Sequence, residues 1–226
     1  PEEAATIHVP CVIFDGKSED FATEMFVIIN STPTRINKSH LVDLYERVSW
    51  ASPDRRLAAK VVDLLYVEAD SPLRYKINRL GGRSRQAKWI LQAELFNEMH
   101  RWLADETDGG KEAALHRYAL VRDFLKACEK VWGEVWGDAG HMVTRPVTLK
   151  ALLRVGFDLA DQDGSDDGDR VGRWQRRLAP WAEMKRDFRA EGFYERFPAK
   201  GQVERVVRIH KDLARKVGLE GPKAKR

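Results

Sequence analysis

The chain has 226 residues, 43% of them apolar and 33% charged, which is enough for one large domain with a sizeable core. No apolar run approaches the ~20 residues a membrane span needs, and the opening "PEEAATIHVP" lacks the pattern of a signal peptide. Residues 1–169 carry a net charge of −6 and residues 170–226 one of +10, so an acidic body is joined to a basic C-terminal quarter, a split that points to a polyanionic partner.

The chain begins at Pro1 without an initiator Met and is expected to be a fragment. Two isolated cysteines, Cys11 and Cys128, fit a reducing, cytoplasmic setting rather than a disulfide framework. "IHVPCVIF" (7–14) predicts a short buried strand ended by a turn at "DGK". A helix follows, capped by Ser18, with Phe21, Met25, Ile28 and Ile29 as its apolar stripe. A second helix is expected from Ser39 with Leu41, Leu44 and Tyr45 inward, and a third from Ser52, where Pro53 suits the first helical position.

Residues 71–84 read as an extended segment with a glycine turn. Beyond it the pattern is helical: Trp89, Ala93, Phe96, Met99 and Leu103 share one face, and 111–136 repeats the spacing with Leu115, Tyr118, Leu125, Cys128, Trp132 and Trp136. A shorter apolar helix covers "VTLKALLRVGFDLA", and 161–170 is a polar loop. Two amphipathic helices end the chain, the first interrupted by Pro180 and the second with Val203, Val206, Val207, His210, Leu213 and Val217 inward.

The loop from Asp163 matches the first half of an EF-hand but has Trp174 at the twelfth position, where a bidentate carboxylate is needed, so it reads as solvated linker. The six histidines are scattered, and no Walker loop, GxSxG or dinucleotide fingerprint occurs. "LGGRS" reads as a turn with Ser84 as cap. In the basic quarter, Arg173, Arg176, Arg177, Arg205, Arg208, Lys211 and Arg215 are candidates for phosphate-backbone contacts with little sequence preference, set against a plain solvated face. The polar cluster 30–39 between two apolar runs suits a phosphate, with Arg35 and Lys38 as charges and Ser39 as donor. The alternative is that Asn30 and Ser39 cap helix ends while Pro33 sets the turn.

"VIFDGKSEDFATEMFVIINSTPTRINKSHLVDLY" (12–45) resembles the segment that follows the signature of DGQHR-domain proteins, and "EADSPLRYKINRLGG" extends the likeness. The resemblance covers about residues 7–103, and "VTLKALLRVGFDL" resembles the family's C-terminal helix loosely. It implies that residues 1–50 are a remnant of a ParB-like, sulfiredoxin-like domain. Together with the residue patterns above, the expected chain is α+β and predominantly helical, the remnant being followed by a helical bundle (51–160), an acidic loop (161–170) and a basic helical region (171–226). It also implies a component of a bacterial DNA-modification or restriction system, of phosphorothioate or 7-deazaguanine type, with DNA and other subunits as partners. By position, Glu24, Asn30 and Arg35 or Lys38 would help to hold a nucleotide. The Asp-Gly-Gln-His-Arg signature itself is absent, and ATPase chemistry with ATP and Mg2+ would require it upstream. The other roles open to such a chain are a non-enzymatic DNA-binding regulator or a structural subunit docking on an acidic partner.

Overall fold

A computed structural model describes residues 11, 13–31, 38–45, 51–79, 87–104, 106–163 and 168–219. Apolar residues recurring every three to four positions place most of them in helices, α1 (Glu19–Ser31), α2 (Lys38–Leu44), α3 (Pro53–Val67), α4 (Gln92–Trp102), α5 (Lys111–Trp132) and α6 (Pro146–Gln162). The basic quarter adds α7 (Arg170–Leu178), a 3-10 stretch (Ala179–Phe188), α8 (Phe193–Arg196) and α9 (Gln202–Lys216). The described sheet is one short parallel pair, β1 (Ile77–Asn78) and β2 (Ile90–Leu91), with Ile77 opposite Ile90. The chain is thus α+β and predominantly helical.

Local chemistry explains most boundaries. Ser18 accepts the Phe21 N–H at 3.2 Å and starts α1, and Pro53 occupies the first position of α3. Asp169 caps α7 by accepting the Gly172 N–H at 2.8 Å. Pro180 ends the α-helical ladder begun at Arg170, and the chain continues as the tighter 3-10 form.

Several expectations are corrected. Cys11, Ile13 and Phe14, expected within a buried strand, are irregular and exposed, Ile13 at 84%; no strand pairs with them among the described residues, and β-branched sequence alone does not make a strand. On α1 the buried residue is Val27, while Ile28 and Ile29 face outward. α2 starts at Lys38, so Ser39 is a buried helical residue rather than the first cap. Trp89 precedes α4 instead of opening it, because its N–H donates to the Lys76 carbonyl at 2.7 Å and the next two residues pair with β1. Leu115 and Val203 lie outside the buried stripes of α5 and α9, where Ala114, Ile209 and Ala214 take inward positions.

Buried residues from Val42 to Leu219 form one contiguous cluster, with Val27 and Ala51 in a small second one. α3 packs on α4 and α5, α5 on α7, and α6 on α9. Gly156 lets α6 approach α5: a Cβ there would lie 2.6 Å from a ring carbon of Phe124. Trp132, Phe188, Phe193 and Phe197 pack edge-to-face or tilted in a cluster of rings 5.1–6.0 Å apart that closes the C-terminal region on the body. Each such ring contributes on the order of 2 kcal/mol by leaving water. Cys11 and Cys128 are free thiols, the first exposed and the second buried in α5, where burial pushes the thiol well above its ordinary pKa.

Candidate nucleic-acid interface

α9 is held from two sides before its outer face becomes available. His210, buried among apolar neighbours, lies 2.7 Å from Asp158 of α6, and the Trp181 indole donates to the Leu213 carbonyl at 3.0 Å. Lys216 meets Glu183 at 2.7 Å, and this ammonium holds the exposed Glu183 carboxyl below its ordinary range. With Val206, Ile209, His210 and Leu213 inward, the 3.6-residue period places Arg208, Lys211 and Arg215 together on the opposite side.

These three cations line an open groove of ≈ 820 Å3 together with the carboxylates Glu204 and Asp212 and with Val207, Ala214 and Leu219. Arg208 donates to the Pro198 carbonyl at 2.7 Å, which leaves its charge uncompensated. Lys211 forms no ion pair among the described residues. Arg215 pairs with Asp212 at 2.9 Å while its side chain stays 80% exposed, and Asp212 also faces Arg196 at 3.7 Å. The groove therefore carries three cations against two carboxylates, Asp212 paired with Arg215 and Glu204 accepting the Lys200 N–H at 2.9 Å, so that Arg208 and Lys211 form no ion pair among the described residues and the lining is net positive by one.

The remaining predicted DNA-contacting residues do not join them. Arg205 donates to the Phe197 and Ala199 carbonyls at 2.9 and 3.3 Å and lies 4.7 Å from the Tyr194 ring centroid, so it ties α8 to the start of α9. Arg173 pairs with Asp163 at 3.4 Å, and Arg177 reaches Gln162 at 3.5 Å. Arg176 is exposed in a different cleft, between α5 and α7, beside Lys130. Lys130 was not singled out from the sequence, since only the α5–α7 contact brings it to Arg176. Part of the basic excess also neutralises the acidic body directly, through Arg170 with Asp123 at 3.0 Å and Lys185 with Glu134 at 2.8 Å.

Of the predicted phosphate-binding residues, Glu24 is partly buried on α1, Lys38 is exposed at the start of α2 and Ser39 beside it is 1% exposed. Arg35, Pro33 and the Asn30 side chain lie outside the described residues, as does the "LGGRS" turn with Ser84. Of the acidic loop, Asp163 is engaged by Arg173 and Asp169 by the α7 terminus, while 164–167 lie outside the described residues. Among the described residues no group of three or more His, Cys, Asp or Glu could hold a metal ion, and no helix is long and apolar enough to cross a membrane. No protein-family model matches the chain, and neither does any curated protein or solved structure.

Proposed function

We propose that the chain binds DNA through the outer stripe of α9, as the DNA-contacting component of a bacterial DNA-modification or restriction system of the kind its resemblance to DGQHR-domain proteins implies. The observation that carries this reading is the stripe itself: Arg208, Lys211 and Arg215 face one groove, two of them without a carboxylate partner among the described residues, on a helix anchored by its opposite side. Guanidinium and ammonium groups in that setting suit phosphate oxygens. With no array of base-reading amides beside them, contact is to the backbone and sequence preference is weak.

The test is the affinity of a labelled DNA duplex across a salt series, with poly-glutamate as competitor. Binding that weakens steeply with salt, varies little between unrelated duplexes and resists poly-glutamate supports the reading. Displacement by poly-glutamate at equal charge concentration would instead assign the groove to an acidic protein partner. A duplex affinity that does not respond to salt would refute it.

A further inference from the structure

Because β1 and β2 pair in parallel, the turn 72–76 before β1 and the segment 87–89 before β2 lie side by side. Rings and cations alternate over this surface. The Tyr75 and Tyr66 rings meet edge to face at 5.5 Å, the Arg74 guanidinium lies 4.9 Å from the Tyr75 centroid and the Lys76 ammonium 5.2 Å from that of Trp89. Arg79, over Tyr66, has its charge answered by Asp43 and Asp63 at 2.7 and 3.1 Å. Arg74, Lys76 and Lys88 form no ion pair among the described residues.

Tyr75 is the feature that burial does not explain. Its φ of +56° is the only positive value at a non-glycine residue among the described residues, a conformation disfavoured for any side chain with a Cβ. Yet Tyr75 is 54% exposed, so the strain is not returned by packing. The backbone is held there from both sides: its N–H donates to the Tyr66 carbonyl at 3.1 Å and its carbonyl accepts from Lys88 at 2.7 Å. Strained backbone that presents an exposed ring is characteristic of a site that meets a ligand. The next residue, Lys76, lines a pocket of ≈ 590 Å3 together with Trp89, Trp136 and the carboxylate Glu129.

We infer that this surface is a second nucleic-acid site, which takes an unpaired base: Tyr75 stacks on the base, and Arg74, Lys76 and Lys88 hold the phosphates that flank it. The reason for an unpaired base is geometric. In a duplex the faces of the bases are covered by their neighbours, so an exposed ring among cations finds a π-face only on a single strand. The inference rests on the reading of the chain as a DNA-binding protein, and adds the form of nucleic acid bound at a surface distinct from α9.

The experiment is fluorescence anisotropy with a single strand of about 12 nucleotides, as DNA and as RNA of one sequence, and with the matching duplex. The chains compared are the wild type, Tyr75→Ala, Tyr75→Gly and the α9 variant Arg208→Gln/Lys211→Gln/Arg215→Gln. Tyr75→Ala is expected to weaken single-strand binding about tenfold and to leave duplex binding within about twofold. Tyr75→Gly should lose the same affinity while unfolding at higher urea than Tyr75→Ala, since glycine adopts the positive φ freely; a stable protein that still fails to bind excludes misfolding as the cause. The tighter of the two single strands names the source. Single-strand affinity unchanged in both Tyr75 variants overturns the inference while the α9 reading stands. Loss of single-strand binding at Tyr75 in a chain that binds no duplex upholds the inference and overturns the α9 reading, and binding of neither overturns both.

Discussion

Replacing Arg208, Lys211 and Arg215 together by glutamine removes the positive stripe of α9 while keeping helix propensity and hydrogen-bonding capacity. The expected effect follows from the pairing of each side chain. Arg208 donates only to a neutral carbonyl and Lys211 has no ion pair among the described residues, so each releases a full share of counterions, about 0.9 units of slope in log K against log salt. Arg215 shares its charge with Asp212 and contributes between nothing and the same amount. The wild-type slope should therefore exceed that of the variant by about 1.8 to 2.7, and the wild-type advantage should shrink roughly 10- to 40-fold between about 50 and 200 mM salt. Anisotropy of a labelled duplex over that range measures both slopes, and the urea midpoint of each protein checks that the fold is kept. Parallel salt dependences in the two proteins would refute the assignment of α9 to the DNA backbone.

Other substitutions separate structural from binding roles. Arg205→Ala should lower stability by about 1–2 kcal/mol, because two carbonyls of the α8–α9 connection lose their donor, whereas Lys211→Ala should leave the urea midpoint within about 0.5 kcal/mol. Gly156→Ala should cost about 2 kcal/mol despite the better helix propensity of alanine: the new methyl group meets Phe124, which is buried and flanked by Trp174 and Trp181, and equal stability would disprove that close approach. The Tyr118 hydroxyl donates to Asp70 at 2.5 Å and, with Lys126 and Arg122, holds the Asp70 carboxyl below its ordinary value of 3.8. A depressed carboxyl stabilises the fold above its unfolded pKa and loses that contribution as pH falls through the folded value, so Tyr118→Phe should flatten the loss of stability below about pH 4; urea unfolding at pH 7 and pH 3 reads the difference.

The helices were legible because their signals are local. Ser18, Pro53 and the apolar periods of α3, α5 and α6 act within a few residues of where they stand, and tertiary packing agrees with them. What was not legible depends on partners distant in sequence. Trp89 has helical spacing with Phe96 but is drawn into the sheet by Lys76, and the run at Ile13 finds no strand to pair with among the described residues. The candidate binding residues divide in a related way. The sequence period turns Arg205, Arg208, Lys211 and Arg215 alike away from the inner stripe of α9, and the structure then separates them: Arg208, Lys211 and Arg215 line one groove, whereas Arg205 turns back to the Phe197 and Ala199 carbonyls of the preceding connection. The Tyr75 surface had a sequence signal in the alternation "RYK" and "KW", but its meaning needed the parallel register that sets the two segments side by side.

Charge asymmetry in the sequence has two different uses in the folded chain. A basic segment beside an acidic body lowers its own electrostatic energy by pairing with that body, and Arg170 with Asp123, Arg173 with Asp163 and Lys185 with Glu134 do so. The first of these pairs is nearly buried and fixes where α7 sits on α5; the last is largely exposed and contributes little beyond orientation. Only cations left over from this pairing can attract a polyanion with their full charge, so the net charge of the segment overstates the field that a ligand meets. Cations without an ion pair among the described residues also lie elsewhere, Arg176 and Lys130 in the α5–α7 cleft and Lys38 on α2 among them, so an unanswered charge alone does not mark a site. Arg208 and Lys211 are set apart by sharing one groove, and Arg74, Lys76 and Lys88, from a body that is acidic in total, by lying around one strained tyrosine. Geometry, a shared groove in one case and a strained exposed ring in the other, is therefore what the proposed contacts with nucleic acid at α9 and at Tyr75 rest on, and the surplus of charge alone is not.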